Sequence, residues 1–256
     1  MAVPSFVRLI PLLLLAALAG CVTSVPATEP APEPPISAQV QAEAERAVDQ
    51  LVTVARRMEP VIEAECRARS NLRNCDYRLV IDDRLDAPAN AFQTEDRRGR
   101  PVIGVTLAMI AEVRNPDELA FVLGHEAAHH IAGHISARER DAVKGAQLLG
   151  MMVQSQGADP QTVAKARKAG AEMGSRLFAK DYELEADRLG TIITWDAGYD
   201  PLKGAAFFRR LPDPEETVLG THPANALRLD IVKMTVKELR AGTIKGVTGL
   251  RSQSAG

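Results

Sequence analysis

The five residues His125-Glu126-Ala127-Ala128-His129 constrain this chain more than any other stretch. Four residues is about 400° of α-helix, so the two imidazoles project from one face, one turn apart. Ring nitrogens placed in that way reach a single ion at about 2.0–2.1 Å. Glu126 lies about 100° round from His125, outside the ligand plane but within reach of a water in an open coordination position. This is the zincin arrangement. In it Glu126 would take a proton from a zinc-activated water and return it to the leaving amine of a cleaved peptide. The remainder of the chain must hold such a helix rigid and supply a third ligand.

Histidine is otherwise scarce: the 256 residues contain five, and four of them fall between positions 125 and 134. The formal charge of −2 carries no basic surplus for a nucleic-acid partner, and 4% aromatics are too few for a base-stacking platform. The composition, 46% hydrophobic and 25% charged, is that of an ordinary globular protein.

A metzincin would place its third histidine six residues after His129, with a glycine at the third. That position is Ile135, and Gly133 falls one place late. On a continuous helix His134 lies half a turn from His125, and His130 also points elsewhere, so both read as surface or supporting histidines. The better third ligand lies in Glu183-Leu184-Glu185-Ala186-Asp187. A glutamate from a second helix completes a two-histidine, one-carboxylate site with an open fourth position. Asp187, one turn after Glu183, can accept a hydrogen bond from the back nitrogen of a ligating histidine, His125 being the natural one. Spacing alone leaves Glu183 and Glu185 both open as the ligand.

The start of the chain reads as an export signal. Arg8 precedes an apolar stretch from Leu9 to Ala19, too short to span a bilayer. It ends Leu18-Ala19-Gly20-Cys21, which resembles a bacterial lipobox and implies cleavage before Cys21 and lipidation of that cysteine. Residues 1–20 are therefore read as a signal peptide and 21–37, rich in Pro and Glu, as a tether. Residues 38–240 are the folded domain and 241–256 a flexible tail. Export also places Cys66 and Cys75 where thiols oxidise, and the pair is expected to form a local disulfide.

Within the domain, apolar spacing predicts a helix from Ala38 to about Ser70, strands at Tyr77–Ile81 and Pro101–Thr106, and a short helix from Leu107. Asp82–Ala91 reads as a loop and Arg97–Arg100 as a hairpin turn. Asn115-Pro116-Asp117-Glu118 is a helix start, and the helix is expected to run to His134. Further helical stretches are expected at 136–156, 160–190, 201–210 and 224–239. The fold class is thus mostly helical α+β with a small antiparallel sheet.

Taken in order, these motifs resemble the HtpX and CAAX prenyl endopeptidase-like gluzincins over Tyr77–Leu239. The matching residues are Asn90-Ala91-Phe92, Asn115 to Leu119, the His125–His129 pentapeptide, Glu183-x-x-Ala186-Asp187-Arg188-x-Gly190, Ala197 to Pro201, and Thr221-His222-Pro223 with Arg228. The resemblance implies a zincin-like domain holding one Zn2+ on His125, His129 and Glu183, with Glu126 catalytic and Asp187 behind a ligand. It places His222 at the cleft, stabilising the oxyanion or taking the open zinc position, and pairs Arg228 with Asp187. Ala179 and Lys180 stand where the family often carries Ser-Arg. The nearest branch is the periplasmic lipoprotein, BepA-like one, although the chain is too short for that branch's helical-repeat domain. The implied activity is endoproteolysis of misfolded or unassembled envelope proteins, on the periplasmic side of the outer membrane. The strand at Pro101–Thr106 is either a cleft-side edge along which an extended substrate lies or simply a core strand, and the sequence leaves both open. A chaperone-like binder would not need Glu126, and iron oxygenases seldom set both histidines on one helix around a glutamate.

Overall fold

Residues 37–70, 74–213 and 222–249 are described by a computed structural model. The leader, Cys21 and all of the tether except Ser37 lie outside these residues. Helix α1 (Ala38–Arg69) buries Leu51, Val54, Met58, Val61 and Ile62 at helical spacing and turns most of its charges outward, with Glu65 buried. At its end Cys66 is joined to Cys75 by a disulfide with Cα atoms 5.7 Å apart, which ties α1 to the chain entering the sheet.

The sheet holds β1 (Arg78–Asp82), β2 (Ala91–Glu95) and β3 (Pro101–Thr106) in the order β1-β3-β2. It is mixed, not antiparallel as expected: β2 runs antiparallel to β3 but β1 runs parallel to it. The stretch between β1 and β2 carries the chain back across the sheet, so the hairpin forms between β2 and β3. Its turn is held by the Asp96 carboxylate, which accepts from Arg98 N and Arg100 N at 2.7 and 3.0 Å, and by Gly99 at φ 72°. Strand β2 escaped the sequence reading because Ala-Phe-Gln-Thr-Glu is short and half polar. Phe92 pairs with Gly104 across β3, and its ring occupies the space a Cβ on Gly104 would need.

Helix α2 (Leu107–Glu112) is capped by Thr106, whose hydroxyl accepts from Met109 N. Helix α3 (Pro116–Ala132) starts at its Asn115 cap with proline in the first turn, as its sequence dictates. It stops earlier than periodicity suggests. Gly133 adopts the left-handed conformation (φ 76°) and its N–H donates to His129 and His130 carbonyls. A new helix, α4 (His134–Ser155), begins at once. The expected helix over 160–190 is likewise two, α5 (Pro160–Leu177) and α6 (Ala179–Asp196), broken at Phe178.

Helix α3 is buried almost all round. It packs on α6, on α1 and on α7 (Pro201–Gly204), which passes into a 3-10 turn over Ala205–Arg210. Helix α8 (Asn225–Arg240) covers α6 from the other side. The chain after α8, expected to be loose from Ala241, docks back before Gly249. Val247 N donates to buried Glu65 at 2.7 Å, and Thr248 N and Oγ donate to buried Asp196 at 2.7 Å each. Both acids would otherwise lack those partners in the interior, which gives the segment a reason to dock.

Candidate metal centre

Helices α3 and α6 cross at small residues. A Cβ on Gly190 would lie 2.9 Å from His125 N and Cα, and one on Gly124 would lie 3.0 Å from Gly190 O. This close approach sets the stripe Glu183, Asp187 and Gly190 against the histidine face of α3. The result is a convergence of three donors. His125 Nε2 and His129 Nε2 are 3.1 Å apart; His125 Nε2 lies 3.5 Å from Glu183 Oε2 and His129 Nε2 3.5 Å from Glu183 Oε1. A tetrahedral ion with ligands at about 2.0–2.1 Å separates its ligand atoms by about 3.3 Å. The three side chains therefore converge at close to tetrahedral spacing, and they form the metal-competent group found among the described residues.

The electrostatics favour a cation here. Burial alone would pull the His125 imidazole down, but hydrogen bonds to Asp187 and Glu183 outweigh it and raise its pKa to about 9. Burial, with His125 alongside, holds His129 down to about 2, so its ring stays neutral and keeps a lone pair. Burial would raise the Glu183 carboxyl, yet His125 and His222 hold it well below the usual carboxylate range. An anionic Glu183 and a neutral His129 are in the protonation states that ligate, whereas His125 gives up the proton its acidic neighbours hold when an ion takes that proton's place.

Behind the donors stand supports for both histidines. His125 Nδ1 lies 3.0 Å from Asp187 Oδ1, which fixes the ring with Nε2 toward Glu183. Asp187 is fully buried and is held in turn by Arg228, whose Nε and Nη2 each donate to it at 2.7 Å. The Arg228 guanidinium also stacks 3.8 Å from the centre of the Phe208 ring. His129 has a different support, His134, for which the sequence reading left surface and supporting roles both open. His129 Nδ1 lies 2.8 Å from His134 Nδ1, and His134 Nε2 lies 3.3 Å from Glu185. With His129 Nε2 kept for an ion, its Nδ1–H donates to His134, and His134 Nε2–H donates to Glu185. His134 also stacks on Tyr182, at 4.8 Å between ring centres. His134 and His130 are both buried, each 2% exposed, so neither is a surface residue. His130 points away from the centre, with Nε2 2.8 Å from Asn74 O.

Glu126 lines an open cleft of about 590 Å³ that also takes in His125, His129 and Glu183. Confinement there, and Glu183 nearby, raise its carboxyl above the ordinary range, opposed by His125. His222 sits at the mouth, half exposed, with Nδ1 3.4 Å from Glu183. Glu185 is 61% exposed at its side chain and takes no part in the donor set, which resolves the choice that spacing left open. The strand beside the cleft is not the one at Pro101–Thr106. Central strand β3 is paired on both sides, and it is β2, at Ala91 to Gln93, that lines the cleft with one edge free of strand pairing.

A mostly helical domain that presents two histidines and a glutamate beneath a confined glutamate, on one open cleft, is a metallopeptidase of the zincin-like class. The chain belongs to peptidase family M48, whose description matches residues 52–236. It is similar to the beta-barrel assembly-enhancing protease of Yersinia pestis, with 31% identity over 153 residues, covering 52% of this chain and 30% of that protein. The protein of the same name from Escherichia coli (strain K12) is 30% identical over 141 residues, covering 49% of this chain and 28% of its own length. This chain thus matches less than a third of the length of either relative.

Proposed function

We propose that this chain is a zinc-dependent endopeptidase of the bacterial cell envelope that hydrolyses misfolded or unassembled envelope proteins. The observation that carries the chemistry is the meeting of His125, His129 and Glu183 at tetrahedral spacing beside Glu126. A divalent ion on those donors supplies Lewis acidity, polarising a peptide carbonyl and acidifying water. Glu126, its carboxyl raised by burial, takes the proton of the attacking water and delivers it to the leaving amine. His222 at the mouth donates to the oxygen of the carbonyl as charge develops there. Asp187 and Arg228 act by holding His125. A substrate segment adds as a further strand along β2, where main-chain hydrogen bonds bind extended polypeptide with little side-chain preference. That mode suits unfolded clients, and the named role of the relatives in β-barrel assembly supports an envelope setting. Lipidation at Cys21 tethers the domain to the periplasmic side of the outer membrane.

The test is metal analysis together with cleavage of casein, using the protein and a Glu126→Gln variant. One zinc per chain in both, with cleavage by the wild type alone, supports the reading. Equal cleavage by the variant, or a folded protein that binds no zinc, would falsify it. Binding of casein without cleavage by either protein points instead to a chaperone-like role.

A further inference from the structure

Helices α4 and α5 form an antiparallel hairpin that packs far more on itself than on the rest of the domain. Its packing is inverted relative to a soluble helix pair. The contact between the two helices is made by small residues: a Cβ on Gly145, Gly170 or Gly174 would collide with the backbone of the facing helix. Gly170 and Gly174 are four apart, the small-xxx-small spacing that lets helix backbones approach closely in lipid. Leu149 turns toward Gly170, but several large apolar side chains point outward. Leu148 is 69% exposed, Met151 59% and Met152 52%, with Val143 and Met173 also exposed. Single exposed apolar residues are ordinary, but this grouping on one projecting element is not.

Charge indicates what covers the face. From His134 to Phe178 the chain carries seven Lys and Arg against four Asp and Glu, while the whole chain is at −2. Toward the tip the excess sharpens: between Ala142 and Ala171 stand Lys144, Lys165, Arg167 and Lys168 against Asp159 alone. The side chain of Arg167 reaches Gly150, so the basic residues of α5 lie at the level of Leu148 to Met152. Among the described residues no helix is long and apolar enough to cross a membrane. A cationic, apolar-faced hairpin of this length lies in an interface and does not span it.

We infer that the distal half of the α4–α5 hairpin docks on an anionic phospholipid surface, with Leu148, Met151 and Met152 entering the acyl boundary and Lys165 and Lys168 meeting headgroups. The hairpin joins the metal centre directly, since α4 begins at His134 and α6 carries Glu183. Docking would therefore hold the cleft close to the membrane, independently of any lipid on Cys21.

The test uses the full chain with Met151→Trp, read against the unsubstituted chain, whose Trp195 is its sole tryptophan. Vesicles contain equal parts phosphatidylglycerol and phosphatidylcholine, with bromine on the acyl chains. The expected result is a blue shift and strong quenching of the added fluorescence, with Trp195 little affected; because quenching is local, an N-terminal anchor does not mimic it. Replacing Lys165 and Lys168, both exposed, with Gln lowers partition about 30-fold, at roughly fivefold per charge. Equal quenching on pure phosphatidylcholine, or none on anionic vesicles, overturns the inference. So does a dimer that dissociates on Leu148→Asp without lipid quenching, which would show that the face seats a second copy of the chain.

Discussion

Replacing Gly190 with Ala tests the link between helix packing and the metal centre. A Cβ there lies 2.9 Å from both N and Cα of His125, a distance real Cβ atoms do not tolerate. Ordinary contact needs about 3.5–4.0 Å, so α3 and α6 must separate by about 0.5–1 Å. His125 and Glu183 ride on those two helices with donor atoms 3.5 Å apart. Separation carries that edge to about 4–4.5 Å, well beyond the roughly 3.3 Å of a tetrahedral zinc site. Overpacking costs about 1–3 kcal/mol, and the better helix propensity of alanine offsets about 1 kcal/mol of it. The fold should therefore lose at most about 2 kcal/mol, a fall in Tm of up to about 8 °C. The metal should lose far more, about 10–100-fold in affinity, comparable to loss of a ligand's support. Competition against a fluorescent zinc chelator, with circular dichroism melting on the same samples, measures both. Wild-type zinc affinity in the variant would refute the idea that this glycine contact sets the ligand spacing.

Tests at three further positions, Asp187, His134 and Glu118, follow from the structure. Asp187→Ala and Asp187→Asn both leave buried Arg228 without its counter-charge, and each should cost about 3–5 kcal/mol by chemical denaturation and weaken zinc binding; an Asn variant as stable as the wild type would contradict the charge argument. His134→Ala removes the acceptor behind His129 and should lower zinc affinity about 10–100-fold while His130→Ala does not, as read by the same chelator titration. Glu118 supplies the pH dependence. Burial would raise its carboxyl, but Arg210, donating to both oxygens at 2.7 Å, holds it below its ordinary value. A depressed carboxyl contributes stability that is complete above that ordinary value and is lost as the pH falls below it. Glu118→Gln should therefore destabilise the protein at pH 7 and flatten the loss of stability on acidification. A variant that melts in parallel with the wild type at every pH would show that the ion pair contributes nothing.

Much of the site is legible in the sequence because it is built from local repeats. His125 and His129, Glu183 and Asp187, each four apart, share a helix face by helical geometry alone. The cap at Asn115-Pro116 is equally local, as is the apolar stripe of α1, since both follow from side chains and backbone within a turn or two. Ambiguity begins where contacts span the chain. Spacing cannot prefer Glu183 to Glu185, and the choice falls to the α3–α6 crossing at Gly124 and Gly190, which turns one acid inward and leaves the other at the surface. His134 shows the same limit. On a continuous helix it would face away from the site, but the left-handed turn at Gly133 redirects the chain and brings its ring to His129. The sheet was misjudged for a related reason: strand direction depends on which segments pair, and β1 pairs with β3 across a loop whose path no local pattern records. The histidines, the glutamates and the helices that carry them are properties of the sequence read a few residues at a time. The distances that make them a metal centre come from backbone contacts between residues about 65 positions apart, which only the folded chain brings together.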